Sequence, residues 1–161
     1  MRIIAENVIK VIGNVHFWPK GISVLHYYIL HFTEDKIIWE FIDKNPTPPI
    51  IYHPGTWLFL PFLLLAHKLK EKKVKATTEY EIEFGEKMTA EQILENKMEN
   101  FKTEYNQIEN VEIKKGKFKI TFMRDYPLLK KEHTFHFDRK DQQDVESIFM
   151  KLLSQKTLVK S

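Results

Sequence analysis

The chain has 161 residues, of which 43% are hydrophobic, 29% charged and 13% aromatic, and its formal net charge is +3. A hydrophobic fraction of this size excludes a disordered chain, and the length predicts a single domain over residues 1–161. The absence of cysteine excludes disulfides, cysteine-ligated metal sites and a cysteine nucleophile.

The basic residues are almost all lysine. Of 25 basic side chains only Arg2, Arg124 and Arg139 are arginine, and base-edge recognition depends strongly on the planar guanidinium group. We therefore expect no sequence-specific binding of nucleic acid. The first ten residues include Glu6 and Lys10 and lack the uninterrupted apolar run of a signal peptide, so the expected location is the cytoplasm, with peripheral membrane attachment as an alternative.

The first 45 residues predict β-structure. Strands are expected over 3–12, closed by Gly13, and over 22–32 and 37–42, with turns at 18–21 and 33–36. The second and third strands are rich in β-branched and aromatic residues and flank a short polar turn, which is typical of a hairpin. Ile37, Trp39 and Phe41 share one face of the returning strand.

An uncharged segment follows. Residues 45–66 contain no Asp, Glu, Lys or Arg, and the window 57–66 is the most apolar of the chain. That window is ten residues long and contains Pro61, so it is too short to span a bilayer, which takes roughly 20 apolar residues. Five lysines come directly after it: Lys68, Lys70, Lys72, Lys73 and Lys75.

The remainder predicts strands and two helices. Residues 76–87 alternate apolar and acidic side chains, which indicates a half-exposed strand. A capping box of Thr89 and Gln92 predicts a short helix whose Ile93, Leu94, Met98 and Phe101 share a face.

The last third predicts a strand meander that ends in a helix. Strands with alternating apolar residues are expected around 111–114, 118–122 and 133–137, separated by a turn at 115–116 and a loop at 124–131. An amphipathic helix over 145–153 follows, with Asp138 and Asp141 as candidate caps. The tail 154–161 is expected to fray.

Two stretches resemble the pleckstrin-homology-like (PH-like) domains of prokaryotes, which are related to the bacterial PH and GRAM groups. The hairpin HYYILHFTEDKIIWEFI matches their strand–turn–strand unit, and Tyr105, Ile108 and Val111 match a Y-x-x-I-x-x-V entry into the second sheet. The resemblance covers residues 22–43 and 89–153, and it leaves an apolar insertion at about 46–75.

The resemblance implies an α+β fold that is mainly antiparallel β: a bent sheet or barrel capped by the C-terminal amphipathic helix. Eukaryotic relatives that bind phosphoinositides carry a basic cluster around the first hairpin loop. Here the first turn supplies only Lys20, so this sequence departs from that pattern.

The apolar segment is the main candidate for function. Its interface or membrane candidates are Trp57, Leu58, Phe59, Phe62 and Leu63, and the five lysines are anion-binding candidates. Three interpretations stay open: the segment packs into the core, forms an oligomer interface, or contacts a membrane surface.

Other chemistry has little support in the sequence. His133 and His136 are three residues apart on a strand and point to opposite faces, and His26 and His31, five apart, also diverge. No histidine motif for zinc, nucleophile elbow or phosphate-binding glycine loop is present. We therefore expect no metal, no cofactor and no catalytic residue.

The preferred function is a noncatalytic domain that acts through protein contacts, as a homo-oligomer or with another protein. The first alternative is a peripheral membrane module that uses residues 57–66 and the lysines of 68–75. The second is a small-ligand pocket or enzyme site between the sheets.

Overall fold

The computed structural model describes residues 8–46, 60–85 and 88–161. Within them the chain forms eight strands and three α-helices. The strands are β1 Lys10–Phe17, β2 Val24–Phe32, β3 Lys36–Pro46, β4 Phe101–Glu104, β5 Ile108–Lys114, β6 Lys117–Phe122, β7 Glu132–His136 and β8 Thr157–Val159. The helices are α1 Leu60–Phe84, α2 Ala90–Asn96 and α3 Gln142–Leu153.

The eight strands form one sheet in the order β4-β3-β2-β1-β7-β6-β5-β8. All neighbours are antiparallel except β5 and β8. Strands β1 and β7 are paired only at His16 and His136, so two halves of the sheet meet along a narrow connection. The prediction of an α+β fold with a mainly antiparallel sheet and a C-terminal helix is confirmed.

One aromatic core joins the two halves of the sheet. The rings of Phe17 and Trp39 lie 5.0 and 4.8 Å from that of Phe135, which comes from the other half. Phe118 contacts both Phe135 and Phe149 of α3 at 5.1 Å. These side chains are fully buried. Each such ring pair stabilises the fold by about 0.5–1.5 kcal/mol beyond the effect of burying its apolar area. They fill the space between the two halves of the sheet. The second alternative function placed a small-ligand pocket in that space.

The first hairpin and the helix cap agree with the sequence. Thr33 and Lys36 close the turn between β2 and β3, with the Lys36 N–H donating to Thr33 Oγ1 at 3.1 Å. Ile37, Trp39 and Phe41 all belong to the core cluster. Thr89 and Gln92 form the predicted capping box of α2.

Several boundaries were wrong. Gly13 lies inside β1 rather than closing it, and residues 3–7 of that predicted strand lie outside the described residues. Helix α2 ends at Asn96, so Met98 is fully exposed and Phe101 begins β4.

Two predictions about the ends of α3, its N-terminal caps and the frayed tail after it, were also wrong. Neither Asp138 nor Asp141 makes a side-chain capping bond. The tail does not fray, because β8 pairs in parallel with β5 through Val111 and Thr157, Glu112 and Leu158, and Ile113 and Val159.

The predicted strand over 76–87 is helical up to Phe84, and residues 86–87 lie outside the described residues. The apolar and acidic residues alternate as in a strand, but the same stretch also carries a helical repeat. Val74, Thr78 and Ile82 recur every four residues and face the sheet. The threonine hydroxyl of Thr78 donates to the Val74 carbonyl at 2.9 Å. Tertiary contact at period four therefore outweighs the local alternation.

We expect Gly13→Val to weaken the contact between α1 and β1. A Cβ atom at position 13 would lie 2.5 Å from Ile82 Cδ1 and 2.9 Å from Thr78 Cγ2, so the Ile82 and Thr78 side chains must shift to admit the branched side chain. The free energy of unfolding should fall by about 1–3 kcal/mol, the usual cost of overpacking, as measured by urea denaturation.

The double variant Gly13→Val, Ile82→Ala should regain part of that loss, with Ile82→Ala alone as the reference. A Gly13→Val protein as stable as the parent would show that α1 does not pack tightly at this point.

Candidate interaction surface

Helix α1 lies across the outer face of β1, β2 and β3. Its Val74 is buried with Leu25 and Tyr27. On one side Lys70 Nζ is 2.5 Å from Asp43 Oδ2, and on the other Lys75 Nζ is 3.1 Å from Asp138 Oδ2. The two ion pairs and the buried valine fix the direction of the helix on the sheet.

The start of α1 extends beyond one end of the sheet. Val24 is paired with Pro46, so the β1–β2 turn and the end of β3 lie at the same end, here called the β1–β2 end. Asn45 Nδ2 donates to the His67 carbonyl at 3.3 Å, which places the second turn of α1 there. The seven residues before His67 span about 10 Å at 1.5 Å per residue, and they precede the part of α1 that packs on the sheet.

The described part of the apolar segment is not in the core. Phe62 is 70% exposed and Leu65 is 55% exposed, with Leu64 also exposed and Leu63 half-buried. The candidates Trp57, Leu58 and Phe59 lie outside the described residues. The interpretation of the segment as an intramolecular core is therefore wrong for residues 61–66.

The five lysines divide into two groups. Lys70 and Lys75 are the ones held by Asp43 and Asp138, and the Asp138 carboxylate raises the pKa of Lys75. The other three, Lys68, Lys72 and Lys73, are exposed. All five lysines lie within α1. Only three of the five remain available to an external anion.

Sequence reasoning missed two exposed apolar side chains at the β1–β2 end. Trp18 and Ile22 flank the turn after β1 and are about two-fifths exposed, and the Lys20 N–H donates to the Leu128 carbonyl at 2.9 Å. The sequence indicated a turn here, and a tryptophan beside a turn proline was the signal that could have identified an exposed ring.

A buried histidine, His133, contacts two loops at the β1–β2 end. His133 Nδ1 accepts a hydrogen bond from the Lys130 N–H at 3.0 Å, and its ring packs edge-on against Phe17 at 5.1 Å. Burial and, to a smaller extent, the Lys130 charge lower the pKa of His133 to about 4, and a hydrogen bond with the Trp18 backbone opposes the shift. The neutral imidazole thus connects the β1–β2 turn to the loop between β6 and β7.

The other histidines do not converge. His133 and His136 point to opposite faces, as predicted: His136 stacks on His16 at 5.6 Å on the outer face. His26 contacts Phe41 on the core face of the sheet. His31 is on the opposite face, with its Nε2 2.8 Å from Glu40 Oε2. Among the described residues no group of three or more histidine, aspartate or glutamate side chains is arranged to hold a metal ion.

Comparison with known proteins gives no relative. No family model, curated protein or solved structure matches the chain. A search of the described helices for a membrane span also found none that combines the length and the apolar character a crossing needs.

We expect the protein to lose stability as the pH falls from about 6.5 to 4. His133 is neutral in the folded chain near pH 7, and its pKa of about 4 lies below the ordinary histidine value of about 6.5, so protons bind preferentially to the unfolded state. At pH 5 this group alone should cost about 2 kcal/mol relative to pH 8, measured by urea denaturation at both values.

His16, His26 and His136 shift in the same direction because of burial. The variant His133→Gln should therefore flatten the pH dependence without abolishing it. An unchanged slope in that variant would show that His133 titrates normally in the folded state.

Proposed function

We propose that the chain is a PH-like domain that binds the surface of anionic membranes through the start of α1. The observation that carries this proposal is a helix whose first turns expose apolar side chains and whose next turns expose lysines. The strand order and the C-terminal helix that packs on the core support the PH-like assignment.

The apolar side chains at the start of α1 are exposed on more than one side of the helix. At about 100° per residue, Phe62 and Leu64 point roughly 160° apart, and both are exposed. A flat protein partner covers one side of a helix, whereas acyl chains surround a helix end. The distribution therefore favours insertion of the helix start into the interfacial layer of a bilayer.

The exposed lysines are placed for anionic headgroups. Lys68 is about 9 Å along the axis from Phe62, and Lys72 and Lys73 are about 15 Å away, at 1.5 Å per residue. With the helix start inserted along its axis and Phe62 among the acyl chains, this spacing leaves the ammonium groups on the headgroup side of the apolar turns. Each such lysine contributes about 1 kcal/mol at an anionic surface.

The β1–β2 turn supports the same orientation. Trp18 and Ile22 are exposed at the end of the sheet from which α1 projects, with the exposed Lys20 between them. A tryptophan next to lysine is suited to the interface between acyl chains and headgroups. The turn and the helix start would then contact one surface together.

We expect the protein to cosediment with vesicles that contain anionic lipid and to be released by salt, since exposed charges are screened. Phe62→Ser should weaken vesicle binding at least tenfold, because about 2 kcal/mol of apolar burial is lost. Replacing Lys68, Lys72 and Lys73 by glutamine should weaken it at least tenfold at low salt.

Matched controls are Leu158→Ser, an exposed leucine on β8, and a triple glutamine variant at Lys114, Lys115 and Lys117. Both should bind vesicles like the parent. Vesicle binding that does not depend on lipid charge or salt would contradict the proposal. So would control variants that weaken binding as much as the α1 variants do.

Homo-oligomer formation is the second candidate, and one observation favours it. Phe62, Leu65 and Leu69 lie on one outward side of α1, and Tyr80 and Phe84 continue that side further along the helix. Two exposed apolar patches on one side of a helix, separated by Lys73 and Ala76, are suited to packing against a second copy of that helix.

The expected result for this candidate is a dimer in sedimentation velocity that Leu69→Asp converts to a monomer, while Leu158→Asp leaves it unchanged. Leu69 is 57% exposed, so the substitution should not unfold the chain. A monomeric parent at about 100 μM, well above the Kd of most specific dimers, would rule this candidate out.

A further inference from the structure

Strand β4 is an end strand of the sheet. It pairs with the first residues of β3, with Glu104 opposite Lys36 and Phe101 opposite Trp39, and among the described residues no strand lies on its other side. Because β3 runs from the β2–β3 turn towards the β1–β2 end, β4 lies at the far end of the sheet from the start of α1. An unpaired strand edge is a template on which another strand can pair.

The free backbone groups of this edge belong to Lys102 and Glu104. Successive residues of an antiparallel strand bond alternately to its two sides. The Tyr105 N–H donates to the Asp35 carbonyl at 3.0 Å, and these two residues continue the register of β4 on β3, so the odd-numbered residues of β4 bond to β3. The N–H and C=O groups of Lys102 and Glu104 therefore point away from the sheet.

The same two residues carry the charges of the edge. Lys102 Nζ lies 3.4 Å from Glu104 Oε1, and both side chains are about half exposed. Thr103, between them, points to the opposite face, where it is fully buried and accepts a hydrogen bond from Trp39 Nε1 at 3.0 Å. The exposed face of β4 thus presents one cation and one anion, two residues apart.

This pair of charges is complementary to itself. Two copies of β4 that pair antiparallel across a two-fold axis can be centred on Lys102, Thr103 or Glu104 if their outward backbone groups are to meet. Centring on either charged residue places like charges directly opposite each other, which is destabilising. Centring on Thr103 places Lys102 of each copy opposite Glu104 of the other, so both cross-strand pairs attract.

We propose that β4 is an interface between two copies of this chain, which pair antiparallel around Thr103 and join their two sheets into one. The facing Cβ atoms of such a pair lie about 4.5–5.5 Å apart, within reach of a lysine and a glutamate. Glu104 then lies between Lys36 of its own chain and Lys102 of the second copy. A lysine on an end strand ordinarily discourages pairing, and here it permits a single register.

Apolar surface adjoins the same edge. Met98 is fully exposed and lines a groove together with Phe101 and Leu128. A second copy at β4 would shield part of this surface from water, which adds to the small contact that four strand residues make. The contact uses neither the stripe on α1 nor the proposed membrane surface.

The test is sedimentation velocity of the full chain and of two charge reversals, Lys102→Glu and Glu104→Lys, at up to about 500 μM. We expect the parent to dimerise and each variant alone to associate at least about tenfold more weakly, because both cross-strand pairs become repulsive. An equimolar mixture of the two variants should dimerise again, since opposite charges then face each other. Each variant has lost the ion pair within its own strand, so that pair cannot explain the recovery.

A matched control is Lys117→Glu, at an exposed lysine of β6, which should dimerise like the parent. Leu69→Asp should also leave this dimer intact. Amide hydrogen exchange provides a second readout: the amides at positions 102 and 104 should become protected as the parent concentration rises, and they should stay unprotected in Lys102→Glu.

A parent that stays monomeric at about 500 μM would overturn the proposal, and so would a mixture of the two charge reversals that stays monomeric. A dimer that Leu69→Asp dissociates and Lys102→Glu does not would place the contact on α1 instead. Vesicle binding of Lys102→Glu should equal that of the parent at a concentration where the parent is monomeric, so failure here is distinct from failure of the membrane proposal.

Discussion

The fold depends on aromatic contact between two halves of one sheet that share almost no backbone pairing. Strands β1 and β7 are joined at a single residue pair, which is too little to fix the angle between the halves. Phe17 and Trp39 reach Phe135 across the interior, and Phe149 of α3 completes the cluster. Because interiors of this kind are close-packed, the side chains set the bend of the sheet and leave little space between its two halves.

That constraint explains where the exposed apolar and charged side chains are. Helix α1 covers the outer face of the first three strands, and it is held by Lys70, Lys75 and Val74 while its first turns project past the sheet. The anchoring lysines were part of the predicted cluster, but they serve attachment. A run of lysines in the sequence can thus contain both side chains that form internal ion pairs and side chains that stay exposed. Only the folded structure shows which lysine belongs to which group.

Elements whose residues repeat with one period could be predicted from the sequence. The hairpin around Thr33–Lys36, the α2 cap and the amphipathic helix α3 all follow from local patterns. Helix α1 could not, because Tyr80, Ile82 and Phe84 alternate like a strand while Val74, Thr78 and Ile82 repeat like a helix, and the sheet below decides between them. Strand β8 was missed because three residues carry no period of their own.

The candidate sites were predictable in part for the same reason. The uncharged segment and its lysines mark the start of α1, although Trp57 to Phe59 lie outside the described residues. Trp18 and Ile22 were not predicted, since a turn in the sequence does not say which elements meet at its end of the sheet.

The parallel pairing of β8 with β5 has a consequence for the edge of the sheet. The Lys160 N–H donates to the Ile113 carbonyl at 2.8 Å, and the Lys160 and Glu112 side chains form an ion pair. Without β8, strand β5 would present an unpaired edge, and such an edge recruits strands from other chains. The three residues of β8 therefore protect the sheet against edge-to-edge association, out of proportion to the small area that they cover.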